Sequence, residues 1–399
     1  MFPAIKLVFI FAEMQLCNFC KAETLKNGCS CGKVSYCGLE CQKSDWKTHK
    51  PACPPFRVTK LPGRGKGVLA TRKINVGEII MEEVPLMVID SPDSEVAVDV
   101  FKQEFAKVDD EAKRKVLSLF DPLNDEIKLE MQNSISQIEK AIEKQRLSDP
   151  SDEKIHEMTN QLESLSADLD KHAEDDNEGD QTEAALRIFS GNSIQVCEVA
   201  SIYSSTEGGL YHQISLINHS CNPNSVWSWV KDDFRKKVVR AVKTIKKGEE
   251  IVANYVDTEE FNFGSRDLRR SVLLDKFGFI CKCSECVLDY TELELNEQQR
   301  KEVVENIKLV KDLMNKFEER ATVSALKTGQ DTVKLVKELG LVYEVPRLLL
   351  NCYQVATAAR FQNIIGMLNP RVYSDQALAY CEKFGDSFMH FYNFVLKPN

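Results

Sequence analysis

The chain has 399 residues, 43% of them hydrophobic, and a formal net charge of -9. That length supports two or three folding units with cores of their own. The acidic balance argues against generic binding to nucleic-acid phosphates, which needs a basic footprint, and fits basic partners such as lysine-rich tails.

Met1 to Leu16 carries a short apolar run, Leu7 to Ala12, too brief for a membrane span and without a signal-peptide cleavage pattern. Residues 1–16 are therefore expected to be a loose N-terminal extension of a soluble protein of the nucleus and/or cytoplasm. Residues 17–53 then present Cys17-x-x-Cys20, Cys29-x-Cys31, Cys37-x-x-x-Cys41 and His49-x-x-x-Cys53. Seven cysteines and one histidine suffice for two tetrahedral zinc sites, and so small a segment would draw most of its folding free energy from metal. The competing reading, disulfides or unrelated thiols, is disfavoured by the histidine at ligand spacing and the missing secretion signal.

Tyr36-Cys37, Cys41-Gln42, Asp45-Trp46 and His49-Lys50 followed by Cys53 resemble a MYND zinc finger. The resemblance implies interleaved ligands, with Cys17, Cys20, Cys37 and Cys41 on one zinc and Cys29, Cys31, His49 and Cys53 on the other. The second pair, Cys29-x-Cys31, is tighter by one residue than the usual Cys-x-x-Cys.

A glycine-rich stretch follows, Leu61-Pro-Gly63-Arg64-Gly65-Lys66-Gly67-Val68, and then short apolar segments with strand character through Val84-Pro85-Leu86. Alone, such a loop says little. Asn218-His219-Ser220-Cys221-Asn222-Pro223-Asn224 is far more specific, and with Lys247-Gly248-Glu249-Glu250-Ile251-Val252-Ala253-Asn254-Tyr255 it resembles a SET domain. Gly191-Asn192-Ser193-Ile194 resembles the Asn-Ser-Phe segment of SET-and-MYND (Smyd) proteins. Phe277-Gly-Phe279-Ile-Cys281-Lys-Cys283-Ser-Glu-Cys286 leaves a zinc one ligand short, and the family supplies the fourth from Cys221. That implies a third zinc. Cys197, Cys352 and Cys381 are left as ordinary buried thiols. The finger preceding the glycine loop is an order similar to the arthropod SmydA group.

The resemblance implies an α+β protein: the finger at 17–53, the SET domain in two parts (56–89 and 185–276) threaded as a pseudoknot, and a post-SET zinc segment at 277–290. Residues 90–184 read as an inserted helical hairpin, from Met131, Ile135, Ile138 and Ile142 and from Ile155, Met158, Leu162, Leu165 and Leu169, with a turn at 148–153 and an acidic return loop at 174–183. Residues 291–399 read as a helical domain, with stripes Val303, Ile307, Val310, Met314, Phe317 and Ala377, Cys381, Phe384, Phe388, Phe391, Val395. The family's C-terminal array would have about four or five helices here.

Functionally the resemblance implies protein-lysine methylation with S-adenosylmethionine and three zinc ions. Tyr255 is the candidate catalytic residue, against a plain buried tyrosine at a strand end. Arg64, Lys66, Asn192, Asn218, His219 and Phe279 are candidate cofactor contacts, with His219 as a core histidine the alternative. Phe277 and Phe279 are candidate walls of a substrate channel, or simply core. The main alternative function is a non-catalytic adaptor in transcriptional regulation, whose finger docks proline-rich peptides. Direct DNA binding through the finger ranks last, since no recognition helix is evident.

Overall fold

The computed structural model describes residues 15–24, 29, 34–50, 53–90, 98–119, 134–142, 153–173, 181–195, 207–230, 233–314, 316, 318–361 and 369–384. The finger opens with β1 (Gln15–Leu16) antiparallel to β2 (Glu23–Thr24) and closes with α1 (Leu39–His49). Its buried apolar set is small: Cys17, Cys29 and Tyr36. Asp45 on α1 accepts from Tyr36 Oη at 2.7 Å and from Asn18 Nδ2 at 2.6 Å, tying the helix to the knuckle where apolar packing is scarce.

Strands β3 (Phe56–Leu61) and β4 (Gly65–Ala70) form a hairpin with Leu61 opposite Gly65. Gly63 and Gly65 hold φ of 64° and 65°, left-handed values that side-chain-bearing residues avoid, so the glycine stretch is a tight turn. Next come β5 (Ile79–Glu83), β6 (Met87–Asp90) and the insertion: α2 (Val98–Lys107), α3 (Asp110–Leu117), α4 (134–142) and α5 (Glu153–Ala173). Helix α6 (Gln181–Asn192) returns the chain to β7 (Ile194–Gln195), β8 (Glu207–Leu210), β9 (Asn218–His219), β10 (Ser225–Val230), β11 (Asp233–Ala241) and β12 (Glu250–Ala253). These strands make three sheets, ordered β10-β11-β5, β3-β4-β12-β9 and β6-β8-β7.

The expected helices on either side of 148–153 are present as α4 and α5, and most of their connection lies outside the described residues. Helices α2 and α3 were not expected. Phe101 and Phe105 from α2 stack at 5.6 Å and join Val116, Leu119, Ile188 and Phe189 in the same core as Val68, Ile251 and Ala253. Each of these helices offers too few apolar residues for a periodic signal, and it is burial against α6 and β6 that fixes them.

After β12 the chain forms α7 (Glu259–Asn262), α8 (Arg266–Phe277) and then α9 (Tyr290–Met314), α10 (Glu319–Glu338), α11 (Val345–Phe361) and α12 (Arg371–Phe384). Each of α9 to α12 packs on its neighbour in sequence. Val303, Ile307, Val310, Ala377, Cys381 and Phe384 are buried as their spacing predicts, whereas Phe317, Phe388, Phe391 and Val395 lie outside the described residues.

One half-buried carboxylate organises the approach to the centre of the SET region. Glu83, at the end of β5, accepts the backbone N–H of Gln213 at 2.9 Å and of Ile214 at 3.0 Å, which opens the 3-10 turn Ile214–Leu216. Burial pushes its carboxyl above the usual range, while the backbone donors oppose that shift. Glu83→Ala is expected to lower stability by about 1–3 kcal/mol, because partly buried N–H groups lose their partner. Glu83→Gln keeps an acceptor and should lose less. Urea unfolding midpoints equal to the parent's for both variants would show that this anchor contributes nothing.

Candidate metal centres and candidate active site

The cysteine sulfurs among the described residues gather in groups. Cys20 and Cys37 lie 3.5 Å apart, Cys37 and Cys41 3.4 Å, Cys29 and Cys53 3.6 Å, Cys221 and Cys286 3.7 Å, and Cys221 and Cys281 4.0 Å. A disulfide would need about 2.05 Å. Four sulfurs around a zinc at about 2.3 Å sit roughly 3.8 Å from one another. No cysteine among the described residues is in a disulfide. The ligand atoms of Cys17, Cys20, Cys37 and Cys41, of Cys29, His49 and Cys53, and of Cys221, Cys281, Cys283 and Cys286 each fall within 4.8 Å of one another. Cys31, expected in the second set, lies outside the described residues, as does Cys197. Cys352 and Cys381 are buried in the helical domain, away from these groups.

The donor chemistry of the third group fits zinc. Hydrogen bonding, first to Cys281, pushes the Cys221 thiol far up, while hydrogen bonds, first from Cys221, hold Cys283 far below its usual range. Four crowded buried sulfurs cannot all ionise by themselves. A divalent ion removes that conflict by binding them as thiolates.

Beside this cluster stands Tyr255, just beyond β12. Its backbone N–H donates to His219 Nδ1 at 3.1 Å, and its hydroxyl donates to the carbonyl of Ile217 at 2.8 Å. The residue is thus held at both ends by the Ile217–His219 segment. Since Nδ1 accepts, the neutral ring of His219 carries its proton on Nε2, which faces Cys221 Sγ at 3.4 Å. Burial lowers the His219 pKa to about 4, so the ring is neutral. This histidine is a connector between the tyrosine backbone and a sulfur of the third group.

Aromatic rings surround Tyr255. The Phe277 centroid is 5.2 Å from its ring, Phe279 6.3 Å at a near-perpendicular 86°, and His219 5.3 Å. Trp227 on β10 is 6.4 Å away and was not foreseen, because nothing in its local sequence marks it. Burial pushes the Tyr255 hydroxyl pKa well above the usual tyrosine value, and the negative charge of Glu250 adds to that. The group is a neutral phenol at physiological pH.

The other candidate residues line a rim. Asn218 donates to the Lys66 carbonyl at 3.2 Å and to Glu250 Oε1 at 2.8 Å, while Arg64 donates to Glu250 Oε2 at 2.8 Å. Gly67 makes this possible: a Cβ there would come within 2.9 Å of Asn218 Nδ2 and 3.2 Å of Glu250 Oε1. Lys66 Nζ reaches across to the Ser118 carbonyl at 2.6 Å, just past α3, and Ser118 Oγ meets His212 Nε2 at 3.2 Å. Asn192 closes its own helix by donating to the Ile188 carbonyl, and its carbonyl accepts from Ser215 Oγ at 3.2 Å. The expected polar side chains are therefore engaged with protein partners. Glu250 and Ser118, which the motif reading passed over, are among those partners.

The rim fits a zwitterionic, amino-acid-bearing cofactor. It mixes a guanidinium, an ammonium, amides and a carboxylate, and Arg64 is 44% exposed, so turning it to a ligand carboxylate costs only about 0–1 kcal/mol of a surface ion pair. Elemental analysis of the intact protein is expected to give three zinc ions per chain, one for each donor set. Two or fewer would show that one of these sets is not a metal site.

The MYND finger family matches residues 17–53, and the SET domain family matches residues 65–256. The chain is similar to histone-lysine N-methyltransferase ASHR1 of Arabidopsis thaliana, 27% identical over 274 residues that cover 68% of this chain and 46% of that protein. It is similar to N-lysine methyltransferase SMYD2 of Gallus gallus, 25% identical over 347 residues that cover 82% of this chain and 64% of that one. It also resembles histone-lysine N-methyltransferase SMYD3 of Homo sapiens, 34% identical over 108 residues that cover 26% and 24% of the two chains. The matched region spans 46% of the first of these relatives and 64% of the second, less than two thirds in each case. The chain thus carries a MYND finger ahead of a SET domain and has Smyd-family methyltransferases as homologues.

Proposed function

We propose that this chain is an S-adenosylmethionine-dependent protein-lysine N-methyltransferase acting on histone or non-histone protein. The observation that carries the reading is the double anchoring of Tyr255 within an aromatic enclosure beside the Asn218–Glu250 rim. The names of the relatives, all lysine methyltransferases, support lysine as the acceptor.

S-adenosylmethionine, when bound, supplies an electrophilic methyl group on a cationic sulfur. Asn218, Arg64, Glu250 and the Lys66 backbone are the residues that would hold its polar end. What remains for the protein is largely positioning and exclusion of water. Lysine has an ordinary pKa of about 10.4, so the reactive neutral amine is scarce at neutral pH. Walls formed by Phe277, Phe279 and Trp227 favour the neutral form by removing water, and their π faces stabilise the positive charge that arrives on nitrogen. Tyr255 spends its hydroxyl proton on the Ile217 carbonyl, which leaves a lone pair free to accept an N–H of the amine and orient it. Because the phenol stays protonated, Tyr255 orients the amine and does not deprotonate it.

A docking role for the finger is supported by its exposed apolar side chains, Phe19, Leu39 and Trp46, which suit a proline-rich segment of a protein partner. That role is compatible with catalysis elsewhere in the chain.

Tyr255→Phe keeps the ring packing and removes only the hydroxyl. Turnover with labelled cofactor and a lysine-containing protein extract is expected to fall about 100- to 1,000-fold, with cofactor affinity within a few fold of the parent. Parent-level turnover would remove Tyr255 from the mechanism. A wild-type chain that binds no S-adenosylmethionine and labels no protein would favour the adaptor reading.

A further inference from the structure

Arg269 is one of the largest fully buried side chains in the protein, with 0% exposure, in the first turn of α8. Its Nη1 donates to the Gly264 carbonyl, but Nε and Nη2 have no aligned hydrogen-bond partner among the described residues. None of the ion pairs among the described residues includes Arg269. The other fully buried arginine, Arg300, is matched: Glu285 lies 3.0 Å from Nη2, Asn296 Oδ1 accepts from Nε at 2.8 Å, and the Asn262 carbonyl accepts from Nη1. A buried guanidinium without a counter-charge is costly, so Arg269 calls for an anion.

The groups that act on Arg269 are sulfurs. Cys221 and Cys286 are the groups whose negative charge bears on it. Four residues along the same helix face, Leu273 is fully buried against the same cysteines. The neighbouring Arg270 grips the knuckle's backbone, Nε donating to the Cys281 carbonyl at 3.3 Å and Nη2 to the Cys286 carbonyl at 2.8 Å. One turn of α8 thus supplies both a clamp on the loop and a cation beside its sulfurs.

A zinc ion held by four thiolates carries a net charge of about -2, which is expensive to bury without nearby donors and positive charge. We propose that Arg269 is the buried counter-charge of the Cys221, Cys281, Cys283 and Cys286 centre, its Nε–H and Nη2–H directed to the thiolates of Cys221 and Cys286. This rests on the zinc reading of that cluster. Arg269 favours the thiolates over their protonated forms, which slows zinc release, and its N–H donors lower the reactivity of these sulfurs toward oxidants and electrophiles. Because Cys221 also meets His219, which holds the Tyr255 backbone, Arg269 is a positioning residue for the candidate active site.

The test compares wild type with Arg269→Met, which keeps the packing and removes charge and donors, and Arg269→Lys, which keeps the charge. Zinc content is measured first, then zinc release to a colorimetric chelator. A wild type holding only two zinc ions, with the cysteines of this cluster freely alkylated, would defeat the underlying zinc reading. If the third zinc is present, its release is expected to be about 10- to 100-fold faster in Arg269→Met, with Arg269→Lys between the two and the finger ions unchanged. Equal release rates in wild type and Arg269→Met would overturn the proposal, as would slow release in the Met variant with fast release in the Lys variant. Should Arg269→Met not fold, the wild-type protein loaded with cadmium-113 decides the matter. Scalar coupling between cadmium and the Arg269 Nε–H proton is expected, and a resolved Nε–H without it would reject the assignment.

Discussion

The centre of this molecule depends on a two-residue parallel ladder, Val252 opposite Asn218 and Ala253 opposite His219. Strand β12 lies between β4 and β9, so this one pairing brings together the glycine hairpin, the Asn-His-Ser-Cys segment and Tyr255. So short a ladder is weak alone, and Asn224 extends it. Its side chain accepts the Val252 N–H at 2.9 Å and donates to the Glu250 carbonyl at 2.8 Å, as a strand backbone would. Ser225 Oγ adds a bond to the Val252 carbonyl at 2.9 Å, and the Ser220 N–H donates to Ala253 at 2.9 Å. With Ile251 and Ala253 buried on the other side, leaving the ladder would expose both polar and apolar groups at once.

The cysteine knuckle carries that order outward to the helical domain. Asn222, next to Cys221, donates to Glu285 at 2.9 Å, and Glu285, next to Cys286, pairs with Arg300 on α9. Asn222 also donates to the Leu339 carbonyl at the end of α10, and Asn262 on α7 donates to Glu344 at 2.5 Å. A buried ion pair contributes little net stability, since desolvation offsets its attraction. Its value here is specificity: a helical domain docked in another orientation would separate Arg300 from Glu285 and Glu344 from Asn262, leaving polar groups unmatched in the interior.

What could be read from the amino-acid order divides by distance along the chain. Ligand pairs such as Cys17 with Cys20 or Cys281 with Cys283 are neighbours in sequence, and a short turn suffices to aim both sulfurs at one ion. The motif around Asn218 was legible for the same reason, and so were the apolar stripes of α9 and α12. Glu250, Ser118, Trp227 and Arg269 were not legible as site residues, because each acquires its role from a partner far away. Asn218 meets Glu250 across 32 positions, and Arg64 meets it across 186. Helices α2 and α3 are not legible because their amphipathic faces are short, below the length at which a periodic signal emerges.

The same geometry explains why Tyr255 stands where the chain leaves β12 instead of within a regular strand. A tyrosine inside the ladder would give its N–H to the neighbouring strand, and its hydroxyl would be fixed only by packing. Placed one residue past Asn254, whose side chain donates to the Val256 carbonyl and to Asn262 Oδ1, it has an N–H free for the His219 ring. Its phenol then swings back to the Ile217 carbonyl. Backbone and tip are therefore fixed by residues two apart on one segment. The wall facing it is set independently: Phe277 ends α8, Gly278 turns the chain at a left-handed φ of 71°, and Phe279 stands two residues before Cys281. The hydroxyl is positioned by the strand ladder and the enclosure by the cysteine knuckle, and the two supports meet at His219 and Cys221. A site that must align an amine within a few tenths of an ångström gains its precision from that meeting, since neither support can shift without breaking a bond of the other.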